Sequence, residues 1–234
     1  MFRSNTIIIF SFILFSQLTG CAQKNRYEVG QFNDALTAGI FWEGTKTRAL
    51  IPEGTILEQV YPAGIKLTKE SEGFRNNLYN DAAGFCTIGY GHLIKKQRCN
   101  NTEKSEFIKG ITESRGEEIL VIDMNWAKYS VMNAVSVDLT QGQYAALVDF
   151  VFNVGSGNFN KSTLLRKINK GDHANVPFQL RRWIRAGGKV FQGLVTRRER
   201  EINLYLENTS IPRLLPRVGE ELPDIDIRVG EAGS

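Results

Sequence analysis

The chain has 234 residues, 42% of them apolar and 23% charged, values ordinary for one globular domain with additions, and on their own they select no function. Its net charge of +4 is uneven: residues 211–234 carry five acids against three arginines, so the body before them stands at +6. That balance favours an anionic partner such as a nucleic acid, a membrane surface or a cell-wall polymer, but no phosphate loop, nucleophilic Ser or Cys motif or nucleic-acid module accompanies it.

The first element is a leader. "MFRSNT" brings one positive charge, "IIIFSFILF" is an apolar run, and "SQLTGC" closes it. The run is too short to span a bilayer and has the layout of a secretory signal. Leu18-Thr19-Gly20-Cys21 resembles the lipobox of bacterial lipoproteins, which implies cleavage before Cys21 and lipid attachment to its sulfur; a plain signal peptide or a weak signal-anchor is the alternative. Both readings export the chain. The expected location is that of a membrane-anchored lipoprotein facing the periplasm or cell wall, or else of a secreted protein.

Residues 1–20 are thus a signal peptide, and 21–62, with scattered aromatics and no clean period, a tether or N-terminal extension. The body expected at 63–208 opens with a short helix. Ile65, Leu67 and Thr68 give a sparse stripe, and Gly73 sits where a C-terminal cap falls, so the helix ends near Glu72. "NLYND", a turn at "AAGF" and "CTIGYGH" predict a hairpin. A polar loop from Lys95 to Lys109 follows. Thr112 and Glu113 start a long helix with Ile119, Ile122, Trp126 and Tyr129 on one side. Thr140-Gln141-Gly142-Gln143 fits the capping box of the next, which "GSG" at Gly155–Gly157 stops. Ser162 caps another that ends at Gly171. Further helices are predicted over 177–186, with Pro177 in the first turn, and over 194–206. Residues 209–234, rich in Pro, Gly and acids, are expected to be a disordered tail. The fold class is α+β: a small β-hairpin lobe, a larger helical lobe, and a cleft between them.

Glu72 and Asp81 lie nine residues apart, one at a helix end and one on the first hairpin arm, with Thr87 on the returning arm. Glycoside hydrolysis needs one protonated carboxyl to donate to the leaving oxygen and one ionised carboxylate for a water or a developing positive charge. A hydroxyl beside the second carboxylate can orient that water. By spacing alone the alternative is a turn-capping Glu72, an Asx-turn Asp81 and a strand-forming Thr87.

The full string "EGFRNNLYNDAAGFCTIGYGH" resembles the active-site segment of the phage-type lysozymes, or endolysins, of glycoside hydrolase family 24. "LTQGQYAALVDFVFNVGSGNF", "STLLRKINKGD" and "RRWIRAGGKVFQGLVTRRERE" are similar to further blocks of that family in the same order, so the likeness spans about Ala63 to Leu206. It implies a lysozyme-like two-lobe fold and hydrolysis, with inversion and no cofactor or metal, of the β-1,4 bond between N-acetylmuramic acid and N-acetylglucosamine in peptidoglycan. Residue by residue it implies that Glu72 is the general acid, that Asp81 positions the attacking water, and that Thr87 is the third member. Leu93, Phe152 and Ser162 fall where the family is expected to contact sugar; for Phe152 the alternative is core packing. The chain departs from the pattern at Ser71, where an apolar residue is common, and in the loop "LIKKQRCNNTEKSEFIKG". The implied partners are peptidoglycan glycan strands, and the membrane through Cys21, for a monomer that binds no nucleic acid.

Two rivals remain. A lytic transglycosylase cuts the same bond without water and needs little beyond one Glu, so Asp81 and Thr87 argue against it. A non-catalytic peptidoglycan-binding lipoprotein would not need the three residues intact. His92 lacks companions at metal-ligand spacing and reads as a structural hydrogen-bonder. The pairs Arg181-Arg182 and Arg197-Arg198 either approach an anionic substrate, tie down a carboxylate near Glu72, or decorate a helix surface. Cys86 and Cys99, thirteen positions apart in an exported chain, can form a disulfide or stay as two thiols.

Overall fold

The computed structural model describes residues 26–28, 51–215 and 222–231. The leader, Cys21 and most of the 21–62 extension lie outside the described residues. A short ribbon pairs β1 (Arg26–Glu28) antiparallel with β2 (Ile56–Glu58). Then come α1 (Pro62–Glu72), and β3 (Arg75–Asn80), β4 (Cys86–Gly89) and β5 (His92–Lys95), which form an antiparallel sheet in that order. Helices α2 (Ser105–Ile108), α3 (Glu113–Asp123), α4 (Asn125–Ala134), α5 (Gln141–Val154), α6 (Ser156–Lys161), α7 (Thr163–Asn169) and α8 (Val176–Arg181) follow. A tiny hairpin of β6 (Arg185–Ala186) and β7 (Lys189–Val190) leads into α9 (Gln192–Tyr205).

Two apolar cores match the two lobes. The larger gathers Leu147, Phe150, Val151, Trp183 and Ile202 around α5, and the smaller holds Ile88, Phe107, Ile111 and Ile119 beneath the sheet. Phe74, two residues past the end of α1, packs against both. This is the expected α+β arrangement of a small sheet lobe and a larger helical lobe.

Helix α5 is buried almost throughout, and its start is fixed by the capping box: Thr140 Oγ1 accepts from the Gln143 N–H, and Gln143 Oε1 accepts from the Thr140 N–H. Its neighbours approach closely because the contact residues are small. A Cβ on Gly64 of α1 would meet Ala145 Cβ at 2.7 Å, and one on Gly142 would meet the Leu204 carbonyl of α9 at 2.5 Å. Helices α1 and α9 are thereby held against one central helix.

The structure departs from the sequence expectations at several points. "CTIGYGH" is not one arm: Gly89 (φ 65°) and Gly91 (φ 87°) take left-handed backbone that suits glycine, so the chain turns there and β5 adds a third strand. The polar loop contains α2, because Phe107 is an apolar anchor for the smaller core. The helix begun at Thr112 breaks at Met124, and the one expected over 177–186 stops at Arg181. Disorder of the whole tail is overturned for residues 222–231. Ile225 is buried in the larger core, the Ile227 N–H donates to the Arg185 carbonyl at 2.8 Å, and Asn158 Nδ2 donates to the Ile227 carbonyl at 2.8 Å. Glu231 completes this strap by accepting from the Thr163 N–H at 2.6 Å and from Arg182 Nη1 at 2.7 Å. Composition suggested a solvated tail; one well-placed isoleucine and one paired carboxylate dock it instead.

Candidate active site

Gly73, with φ 71°, ends α1 and donates its N–H back to the Lys69 carbonyl, which leaves Glu72 as the last helical residue. The C-terminal end of a helix is a poor place for a carboxylate, since its dipole is negative there. Arg197 of α9 offsets this, donating from Nη1 to Glu72 Oε1 at 2.7 Å. The Glu72 side chain keeps 28% of its surface exposed, while that of Arg197 keeps 6%. The wall beside Glu72 is therefore a guanidinium.

Behind that pair lies a buried ionic chain. Arg197 Nε donates to Asp149 Oδ2 at 2.9 Å and Nη2 to Oδ1 at 2.8 Å, a two-pronged grip from α9 to α5. Thr68 of α1 also donates to Asp149 Oδ1, at 2.7 Å. Burial alone would raise the Asp149 carboxyl, but Arg197 outweighs it and holds the group below the usual carboxylate range. Burial would likewise lower Arg197, and the Asp149 and Glu72 charges keep it above its ordinary value. Next along α9, Arg198 Nη2 donates to Glu201 Oε1 at 2.6 Å and to Asn153 Oδ1 at 2.8 Å, with its guanidinium 4.9 Å from the Phe150 ring centroid.

The sheet presents the other candidates. Asp81 follows β3 directly, and its Oδ1 accepts from the N–H groups of Ala83 and Phe85 at 2.9 and 2.8 Å, an Asx-turn that fixes the side chain over the β3–β4 connection. Thr87, on β4, stands opposite Tyr79 of β3 and opposite Leu93 of β5. It is buried, and its hydroxyl donates to the Phe85 carbonyl at 3.1 Å. Asp81 and Thr87 thus share one two-stranded corner, and Glu72 is joined to it by the two residues Gly73 and Phe74. The charges of Glu72 and Asp81 both act on the Tyr79 hydroxyl, which burial pushes up.

Of the expected sugar contacts, Leu93 is buried in β5. Phe152 is half-buried, its ring 6.0 Å from that of Trp126. Ser162 is wholly buried, and its hydroxyl serves as the cap of α7, accepting from the Leu165 N–H and donating to the Phe159 carbonyl. Cys86 and Cys99 are joined in a disulfide with Cα atoms 4.8 Å apart, and the Cys99 N–H donates to Asn80 Oδ1 at 2.9 Å. The disulfide ties the long loop to β4 and the Asn80 bond ties it to β3, the strands on either side of Asp81. His92 is buried and pairs through Nδ1 with Asp123 of α3 at 2.9 Å, joining sheet to helix. The arginine pairs divide: Arg197 and Arg198 are buried in the site, whereas Arg181 pairs with Glu199 and Arg182 with Glu231.

Sequence reasoning missed Asp149, Thr68 and Glu201. Their signal was present as polar residues inside apolar helical stripes, above all the single Asp in "YAALVDFVFNV". A buried acid demands a partner, and Arg197 is that partner.

A family model described as Phage lysozyme matches residues 69–201. The SAR-endolysin of Bacteriophage PS119 is 41% identical over 135 residues, covering 58% of this chain and 76% of that protein. The endolysin of Bacillus phage B103 is 37% identical over 150 residues, 63% of this chain, and the chain spans 54% of that relative's length. Among solved structures, a crystal structure of a P22 lysozyme mutant superposes with a TM-score of 0.57 at 32% identity, covering 64% of this chain and 100% of that one.

Proposed function

The chain belongs to the phage lysozyme family, a muramidase glycoside hydrolase acting on peptidoglycan, and we propose that it works as an inverting enzyme of glycoside hydrolase family 24 with Glu72 as its general acid. Glu72 donates a proton to the glycosidic oxygen between N-acetylmuramic acid and N-acetylglucosamine. Asp81 accepts a proton from a water on the opposite face of the sugar, and Thr87 helps to set that corner. The observation that carries this reading is the fixed Glu72. It closes a helix, keeps part of its side chain exposed, and is held by a guanidinium that cannot swing away because Asp149 grips it.

Roles then follow from position. Arg197 aims the acid without touching substrate. The Asx-turn orients Asp81, and the disulfide anchors the neighbouring loop to β4, the strand that carries Thr87. A mildly basic body suits an anionic wall. The N-terminal segment serves export, with lipid on Cys21 keeping the enzyme at a membrane. Several acyl chains are needed for stable retention, so Cys21→Ser releases the protein or leaves an uncleaved precursor. Wild-type protein that fractionates as soluble and starts elsewhere than Cys21 contradicts the anchor.

The test is digestion of isolated sacculi by wild type and by Glu72→Gln, with mass spectrometry of the products. Reducing N-acetylmuramic acid ends from wild type and none from the variant support the assignment. Ends carrying a 1,6-anhydro ring would mean a lytic transglycosylase, and no cleavage by wild type would mean a binding lipoprotein.

A further inference from the structure

The sheet of the smaller lobe has two unlike faces. Leu78, Ile88 and Ile94 pack on the smaller core, and alternation along the strands turns Tyr79, Thr87 and Leu93 to the other side. The register agrees, since Thr87 stands opposite both Tyr79 and Leu93. This second face carries Thr87, and it leads into Asp81 two residues after Tyr79. It is therefore the face that serves the proposed water.

Arg75, the first residue of β3, reaches that face although the strand is irregular between Arg75 and Tyr79. Its guanidinium lies over the Tyr79 ring, 4.4 Å from the centroid. Tyr79 is half-buried and Arg75 exposed, so the ring is a seated platform and the cation its open surface. Arg181, Arg182, Arg185, Arg197 and Arg198 all hold carboxylates. Arg75 holds none, and among the described residues its guanidinium donates to no acceptor.

Stacking occupies the flat side of a guanidinium and leaves its edge free. That edge carries N–H donors in a planar fork, the shape that grips both oxygens of a carboxylate. Tyr79 holds the fork in place beforehand, so little side-chain freedom is lost when a ligand arrives. In peptidoglycan the acetylated sugars are neutral, and the carboxylates sit on the peptide stem that N-acetylmuramic acid carries. A strand laid along this face offers Arg75 that one kind of anion.

We propose that Arg75 binds a carboxylate of the peptide stem and makes the enzyme select strands whose stem carboxylates are free. This rests on the reading of the chain as a muramidase with Glu72 as its acid. Arg75 takes no part in the proton steps, so its contact is made equally before and during the reaction. Loss of such a contact raises KM and leaves kcat in place.

A cycle of variant against substrate tests this. Soluble peptidoglycan strands, native or with their stem carboxylates converted to amides, are digested by wild type, Arg75→Gln and Lys66→Gln. On native strands Arg75→Gln should raise KM about tenfold, the usual scale for one lost charge-assisted contact, with kcat little changed. Amidation should raise the wild-type KM by a similar factor and leave that of Arg75→Gln where it was. Lys66, whose side chain is 78% exposed on α1, is the control for general attraction, and Lys66→Gln should behave as wild type. Effects of substitution and amidation that multiply overturn the proposal, as does a fall in kcat with KM unmoved, the mark of an arginine that only steadies Tyr79. An equal loss in Lys66→Gln overturns it too. Should Arg75→Gln not fold, a wild-type KM indifferent to amidation overturns the proposal without any variant, and a tenfold rise supports it. Full activity of Glu72→Gln, or no cleavage of either substrate by wild type, would instead sink the muramidase reading beneath it.

Discussion

Arg197 reaches across 2.7 Å to Glu72, joining the last residue of α1 to the second turn of α9. The same guanidinium is clamped from behind by both oxygens of Asp149 on α5. Three helices therefore meet at one side chain, and the position of the acid is a consequence of how the helical lobe packs.

Arg197→Ala leaves Asp149 buried and unpaired, and removing one partner of a buried pair costs about 3–5 kcal/mol. Chemical denaturation should show a loss of that size, with lysis of sacculi falling further than stability alone explains. Arg197→Lys keeps the charge but not the two-pronged grip, so it should be milder in stability and still impaired in kcat.

Acid should loosen the protein at two places. Asp149 and Glu231 are both held below the usual carboxylate range; in each, burial pushes upward and is outweighed, by Arg197 for Asp149 and by Thr163 and Arg182 for Glu231. A depressed folded value means that the stabilisation is complete above the unfolded value, about 4, and is lost as pH falls through the lower folded one. The melting temperature should be flat near neutrality and drop below about pH 4, and Glu231→Gln should reduce that dependence.

The strap of residues 222–231 should contribute measurably. Ile225→Ala removes a side chain only 4% exposed, and large-to-small changes of this kind cost about 2–4 kcal/mol. Urea unfolding would report it. A variant as stable as wild type would mean that the strap merely rests on the surface.

The Cys86–Cys99 bond closes a loop of 13 residues and should be worth about 3 kcal/mol. Because Cys86 stands opposite Asn80, beside Asp81, the double Cys→Ala variant should also lose kcat, with KM changed less. Unaltered kcat in a destabilised protein would confine the disulfide to a structural role.

Much of this was legible in the chain. The capping box at Thr140, the glycine that stops α1 and the caps of α7 are local chemistry, and a sequence displays them directly. The hairpin with Asp81 and Thr87 was equally visible. Legibility failed where distant residues decide. Gly89 and Gly91 fold one apparent strand into two; Arg197 reads as surface charge until Asp149 is brought against it; Ile225 reads as tail until a core receives it. Ser162, which the pattern places where a sugar contact is expected, is buried with its hydroxyl at a helix end, a partner that its position in the sequence also displays.

The most direct test of the account is the activity of Glu72→Gln on purified sacculi, compared with wild type at equal melting temperature and read by mass spectrometry of the released muropeptides. The account predicts a folded variant that has lost nearly all cleavage, beside a wild type whose products each carry one added water at a reducing N-acetylmuramic acid end. Substantial cleavage by Glu72→Gln, or wild-type products ending in 1,6-anhydro sugars, would contradict it.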